Sequence, residues 1–173
     1  MRHPVDASRV SELMRSLGAH ARADVRIYLT GGSTAVLEGW RASTKDVDLK
    51  LVPDDEGVLR AIPETKEKLE INVELAAPDD FIPPLPGWEE RSRFISKEGK
   101  ASFFHYDFYA QALAKLERGH NVDLTDVAEM RSRGLIDSGR LESFFEAIEP
   151  MLYRYPAVDP RSFRRKVEGF VRS

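Results

Sequence analysis

The chain has 173 residues, 42% apolar and 32% charged, a composition that can bury a core and that fits an ordinary globular domain with room for a small appendage. It contains no cysteine, which excludes a disulfide framework, a thiolate metal site and a cysteine nucleophile. A formal net charge of -3 argues against coating nucleic acid through a general positive field.

No run approaches the roughly 18 apolar residues that a membrane helix needs, and the first residues lack the basic-then-apolar layout of a secretion signal. Together with the missing cysteines, this leads us to expect a cytoplasmic protein. Local basic surfaces remain possible, the clearest near the end of the chain at Arg161, Arg164, Arg165, Lys166 and Arg172. The ordinary reading is the solvated face of a helix, and a nucleic-acid surface is the alternative.

In chain order, Val10, Leu13, Met14 and Leu17 recur at helical spacing behind Asp6 and Ser8 as candidate caps, and Gly18 supplies a stop. Val25 to Leu29 is of strand type and ends in Thr30-Gly31-Gly32-Ser33, after which Thr34 to Trp40 reads as a brief helix. Asp46 to Leu51 alternates strictly, with Val47, Leu49 and Leu51 on one face and Asp46, Asp48 and Lys50 on the other. Asp54 or Asp55 can cap a helix carrying Val58, Leu59 and Ile62, and Pro63 can begin another short one. Ile71 to Leu75 alternates again, with Glu74 on its polar side.

The proline-rich stretch from Pro78 to Trp88 reads as a loop excluded from any central ladder. Arg93 to Ser96 and Ala101 to His105 flank Lys97-Glu98-Gly99-Lys100 as a hairpin. Beyond His105 the pattern turns helical. Asp107 caps a helix with Phe108, Ala112, Leu113 and Leu116 that stops at Gly119, and a second runs from about Asp123 to Arg133. A third carries Leu141, Phe144, Phe145 and Ile148, and a last begins near Pro160. Strands first and helices later make an α+β order, with a strand-bearing core over 1–105 and a helical part over 106–173 packed on it.

Two features carry chemistry. Gly31 and Gly32 let backbone N–H groups approach a phosphate closely, and Ser33 adds a hydroxyl donor, although such turns also simply end strands. Asp46 and Asp48 share a strand face, where two carboxylates about 4 Å apart repel by on the order of 4 kcal/mol at an effective dielectric near 20. A hard cation such as magnesium removes that repulsion and links the carboxylates to phosphate oxygens; bulk water at a sheet edge is the alternative. Only twelve residues separate Ser33 from Asp46, so cradle and acid pair are expected on neighbouring strands. Glu74 has the alternation of a third carboxylate.

The stretch L-T-G-G-S-T-A-V-L-E-G-W-R-A-S-T-K-D-V-D-L resembles the signature of the polymerase-beta-like nucleotidyltransferase superfamily. More closely, the chain looks like minimal bacterial nucleotidyltransferases related to abortive-infection (type IV toxin-antitoxin) toxins. It also resembles an uncharacterised family with V-E-L-A-x-P-D-D-F, Pro-Gly-Trp and K-L-E-R-G-H stretches.

The resemblance implies the small mixed sheet of the nucleotidyltransferase fold flanked by helices. It further implies a nucleoside triphosphate held at Gly31, Gly32 and Ser33, and magnesium or manganese at Asp46 and Asp48. Glu74 would stand as the third acid, Lys115 near the triphosphate, and Asp123 and Asp126 in a later acidic motif. The implied reaction moves a nucleoside monophosphate to an acceptor hydroxyl of tRNA or protein, with an antitoxin protein as partner. A small-molecule acceptor such as an antibiotic, and a binding module without turnover, are the alternatives. Arg91 and Arg93 could face a polyanion, while His105 and His120 are expected to be structural.

Overall fold

A computed structural model describes residues 2–173. They form two compact units: the chain up to Ala77 with Ser92–Tyr106, and Pro78–Arg91 with Asp107–Ser173. The first holds, in chain order, α1 (Ala7–His20), β1 (Val25–Thr30), α2 (Gly32–Glu38), β2 (Asp46–Val52), α3 (Glu56–Leu69), β3 (Asn72–Leu75), β4 (Arg93–Glu98) and β5 (Ala101–His105). Its mixed sheet has the order β3-β2-β1-β5-β4. β1 runs antiparallel to β2 and parallel to β5, while β2 pairs parallel with β3 and β5 antiparallel with β4.

The alternation of β2 decides which way the sheet faces. Val47, Leu49 and Leu51 are buried with Ile27, Leu29 and Phe103 against Val10, Leu13 and Leu17 of α1 and Val58, Ala61 and Ile62 of α3. Each such aliphatic side chain contributes about 1.5–3 kcal/mol on burial. Asp46, Asp48 and Lys50 are consequently turned to the other face.

Several boundaries differ from expectation for identifiable reasons. α1 does not stop at Gly18 but continues to His20, with the Gly18 backbone lying against Glu98 of β4. No new helix begins at Pro63; α3 runs through it, because Val58, Ala61, Ile62 and Thr65 are buried on both sides of the proline. That packing outweighs the roughly 3 kcal/mol an interior proline costs a helix. Asp55, not Asp54, caps α3 by accepting from the Val58 N–H at 3.0 Å.

The second unit contains a 3-10 turn at Pro78–Asp80, α4 (Trp88–Arg91), α5 (Phe108–Arg118), α6 (Asn121–Ser132), α7 (Ser138–Ile148), a 3-10 run at Glu149–Arg154 and α8 (Pro160–Arg172). Asp107 caps α5 and receives both Nε (3.2 Å) and Nη2 (2.9 Å) of Arg91. α6 begins earlier than expected, at Asn121, with Asp123 reaching back to the His120 N–H at 3.2 Å. Leu113, Leu116, Val127, Met130, Leu141 and Val167 are buried, and Phe145 meets Phe163 edge-on at 4.8 Å. On α8, Arg164 pairs with Glu149 and Glu168, and Lys166 donates to the Glu117 carbonyl, so part of the basic cluster is engaged within the fold. Among the described residues no helix is long and apolar enough to cross a membrane.

Candidate functional site

The antiparallel pairing of β1 with β2 sets Thr30 opposite Asp48. Thr30 is the last residue of β1, so Asp48 stands level with the turn that follows. Gly31 has φ 70° and ψ -135°, a conformation essentially reserved for glycine, and Asp48 Oδ2 lies 3.1 Å from where its β-carbon would be. A β-carbon on Gly32 would stand 2.0 Å from Thr44 Oγ1 and 3.0 Å from Arg41 Nη1. The segment between α2 and β2 is therefore seated directly on the glycine turn. Val5 pins that segment with two backbone hydrogen bonds to Thr44, at 2.7 and 2.9 Å. Ser33 is fully buried and its hydroxyl donates to the Thr30 carbonyl at 3.0 Å, which ties the turn closed.

The acidic residues share one sheet face because two neighbouring strands share a register. In the parallel pair of β2 with β3, Asp46 is opposite Asn72 and Asp48 is opposite Glu74. All four side chains occupy the sheet face turned away from the core, with Asp46, Asp48 and Asn72 half-buried and Glu74 exposed. The Asn72 amide nitrogen donates to Asp46 Oδ1 at 2.6 Å and to Glu74 Oε1 at 3.1 Å. Sequence reasoning passed over Asn72, although the alternation of Ile71-Asn72-Val73-Glu74 sets it on the face of Glu74.

Among the described residues no three His, Asp or Glu side chains converge into a complete metal cage. Magnesium does not require one: it commonly takes one or two carboxylates and completes its shell with water and substrate phosphates. Asp46 and Asp48 fit that donor set. Asp48 Oδ2 approaches the glycine turn closely enough that a β-carbon on Gly31 would crowd it.

Behind the turn a polar network, buried at Thr34 and His105, ties α2 to β5 and β4. Thr34 Oγ1 is 3.0 Å from His105 Nδ1, Glu38 Oε1 is 3.3 Å from His105 Nε2, and Arg93 Nη1 is 3.3 Å from the same Glu38 oxygen. Burial, with the Arg93 charge added, lowers the His105 pKa from 6.5 to about 4, so the ring is neutral at pH 7. Glu38 is close enough to favour the imidazolium, but it shares its carboxylate with Arg93 and is outweighed. Nε2 faces the Glu38 carboxylate and Nδ1 the Thr34 hydroxyl, so both ring nitrogens have polar partners. His105 is thus structural, and Arg93 is engaged with Glu38.

Lys115 lies in the second unit, on α5. Its ammonium is 2.8 Å from Asp126 and 3.8 Å from Asp123 of α6, all three being nearly inaccessible to water. Burial acts to raise the Asp123 pKa, yet the Arg118 guanidinium and the Lys115 charge hold it below the ordinary carboxylate range. Arg91 is engaged with Asp107 and stacks over Phe144 at 4.1 Å.

Residues 8–172 match the model of a family described as "Nucleotidyltransferase of unknown function (DUF6036)". No curated protein and no solved structure matches the chain.

Proposed function

Since the chain belongs to that family of nucleotidyltransferases, we propose that it transfers a nucleoside monophosphate from a nucleoside triphosphate to an acceptor hydroxyl, using a divalent ion held by Asp46 and Asp48. The observation that carries this reading is the placement of Asp48 opposite Thr30 and against Gly31, which joins an acid pair to a glycine turn.

In this reading the backbone N–H groups of Gly31, Gly32 and Ser33 receive the phosphates, and buried Ser33 braces the turn through Thr30. Bound magnesium or manganese would supply Lewis-acid chemistry, lowering the cost of forming an oxygen nucleophile and neutralising the phosphates. The acceptor oxygen forms a new bond to the α-phosphorus, the bond from that phosphorus to the bridging oxygen breaks, and pyrophosphate leaves. Glu74, on the strand beside Asp48, is the group to take the hydroxyl proton or to complete the ligand set. The resemblance to abortive-infection toxins points to tRNA or a protein side chain as acceptor and to a neutralising antitoxin; an antibiotic hydroxyl is the small-molecule alternative.

The test is to incubate purified protein with each labelled nucleoside triphosphate, magnesium or manganese, bulk tRNA and cell lysate, and to ask which polymer gains label. Labelling that disappears in Asp46→Asn supports the reading, and labelling indifferent to that substitution refutes it. A second reading, nucleotide binding without turnover, is favoured by the Asn72 amide standing between Asp46 and Glu74. It predicts magnesium-dependent nucleotide binding by calorimetry, lost in Asp48→Asn, with no label transferred under any condition.

A further inference from the structure

We propose that the Asn72 amide stands in for a second cation, so that the chain takes up one divalent ion with each nucleoside triphosphate. The inference rests on the nucleotide-site reading above. Three carboxylates, Asp46, Asp48 and Glu74, lie on the same face of two adjacent strands. Anions so placed need something positive between them. Between Asp46 and Glu74 that position is taken by the two hydrogens of a single amide nitrogen, 2.6 Å from one carboxylate oxygen and 3.1 Å from the other. An ion bridging these two acids would have to displace the amide, which is neutral and brings no negative charge of its own in return. The remaining pair, Asp46 with Asp48 beside the glycine turn, is the donor set for one ion completed by phosphate oxygens. Asn72 is therefore a positioning residue: it fixes how Asp46 presents its carboxylate and engages one oxygen of Glu74.

Native mass spectrometry of the full chain with manganese and each of four non-hydrolysable nucleoside triphosphates counts the ions, and calorimetry gives their affinity. One manganese per chain is expected, and two would overturn the proposal. Asn72→Ala, checked for folding by its melting curve, is expected to weaken manganese binding about 10- to 100-fold, as the loss of an outer-shell partner does; unchanged affinity would overturn it. Asn72→Asp supplies the missing anion and is expected to admit a second ion, and a count that stays at one counts against the proposal. Asp48→Asn separates the two levels. If Asp48→Asn abolishes manganese-dependent nucleotide binding while Asn72→Ala leaves it intact, only the role of Asn72 is lost. If Asp48→Asn binds as wild type does, or wild type takes up no manganese with nucleotide, the site reading fails and this inference with it.

Discussion

Thr44 Oγ1 fills the space beside Gly32, 2.0 Å from where a β-carbon on that residue would stand. Residue 32 is glycine because a loop lies on it, a reason independent of any ligand. Gly32→Ala is expected to cost on the order of 1–3 kcal/mol through overpacking. Urea titration of the single variant and of Gly32→Ala/Thr44→Gly checks this, since removing the Thr44 side chain should restore part of the loss. Equal losses in single and double variants would show that the two residues do not collide.

The His105 network makes stability depend on pH. The folded-state pKa, about 4, lies below the ordinary 6.5, so the unfolded chain binds the proton more readily between those values. By linkage, stability from this group is whole above about pH 6.5 and is lost as pH falls toward 4, to a total of about 3 kcal/mol. Denaturant titrations from pH 7.5 to 4.5 should show this slope in wild type and a flatter one in His105→Asn. Parallel curves would mean that His105 titrates normally.

Lys115 is buried beside Asp126 and Asp123, and removing it alone takes its ammonium away from both carboxylates while their desolvation cost remains. Lys115→Met is expected to lose about 3–5 kcal/mol, whereas Lys115→Met/Asp126→Leu, which removes both charges, should come close to wild type. The double variant also tests the triphosphate role that family resemblance implies. A folded double variant with weakened nucleotide binding supports that role, and one with wild-type binding leaves Lys115 as a structural residue.

Asp55 is buried and accepts from Val58, Arg22 and Ala23 N–H groups, at 3.0 Å for Val58 and Arg22 and 3.1 Å for Ala23. Burial works against its ionisation, but those backbone donors win and lower its pKa below 3.8. Its contribution is present above that ordinary value and fades as pH falls through the lowered one. Asp55→Ala should cost about 2 kcal/mol at pH 7, measured by thermal unfolding, and progressively less in strong acid. A loss that does not shrink in acid would assign the effect to packing.

Much of this was legible in the chain because it is local. The strict alternation of Asp46 to Leu51 revealed both the core face and the acid pair, and Asp107 announced the helix it caps. Pro63 misled because a helix-breaking residue was judged without the packing of Val58, Ile62 and Thr65 around it. Asp123 misled in the same way, since a cap at the third helical position serves as well as one at the first turn's edge. Asn72 went unassigned, and Thr44 reads from the sequence only as a residue that could steady a phosphate or the strand turn, because their roles come from cross-strand register and loop docking. The association of Pro78–Arg91 with the later helices likewise depends on pairs such as Arg91 with Asp107.

β1, in the middle of its sheet, has one neighbour, β2, shortly after it in the chain and another, β5, only at Ala101–His105. A ribosome-bound chain therefore carries β1 with one edge of unpaired backbone N–H and C=O groups until the hairpin that bears Phe103 has emerged. Pairing β1 with β5 closes a long interval of chain, the kind of non-local contact that slows folding. Fragments cut before Ala101 lack the strand that pairs with β1 on this side.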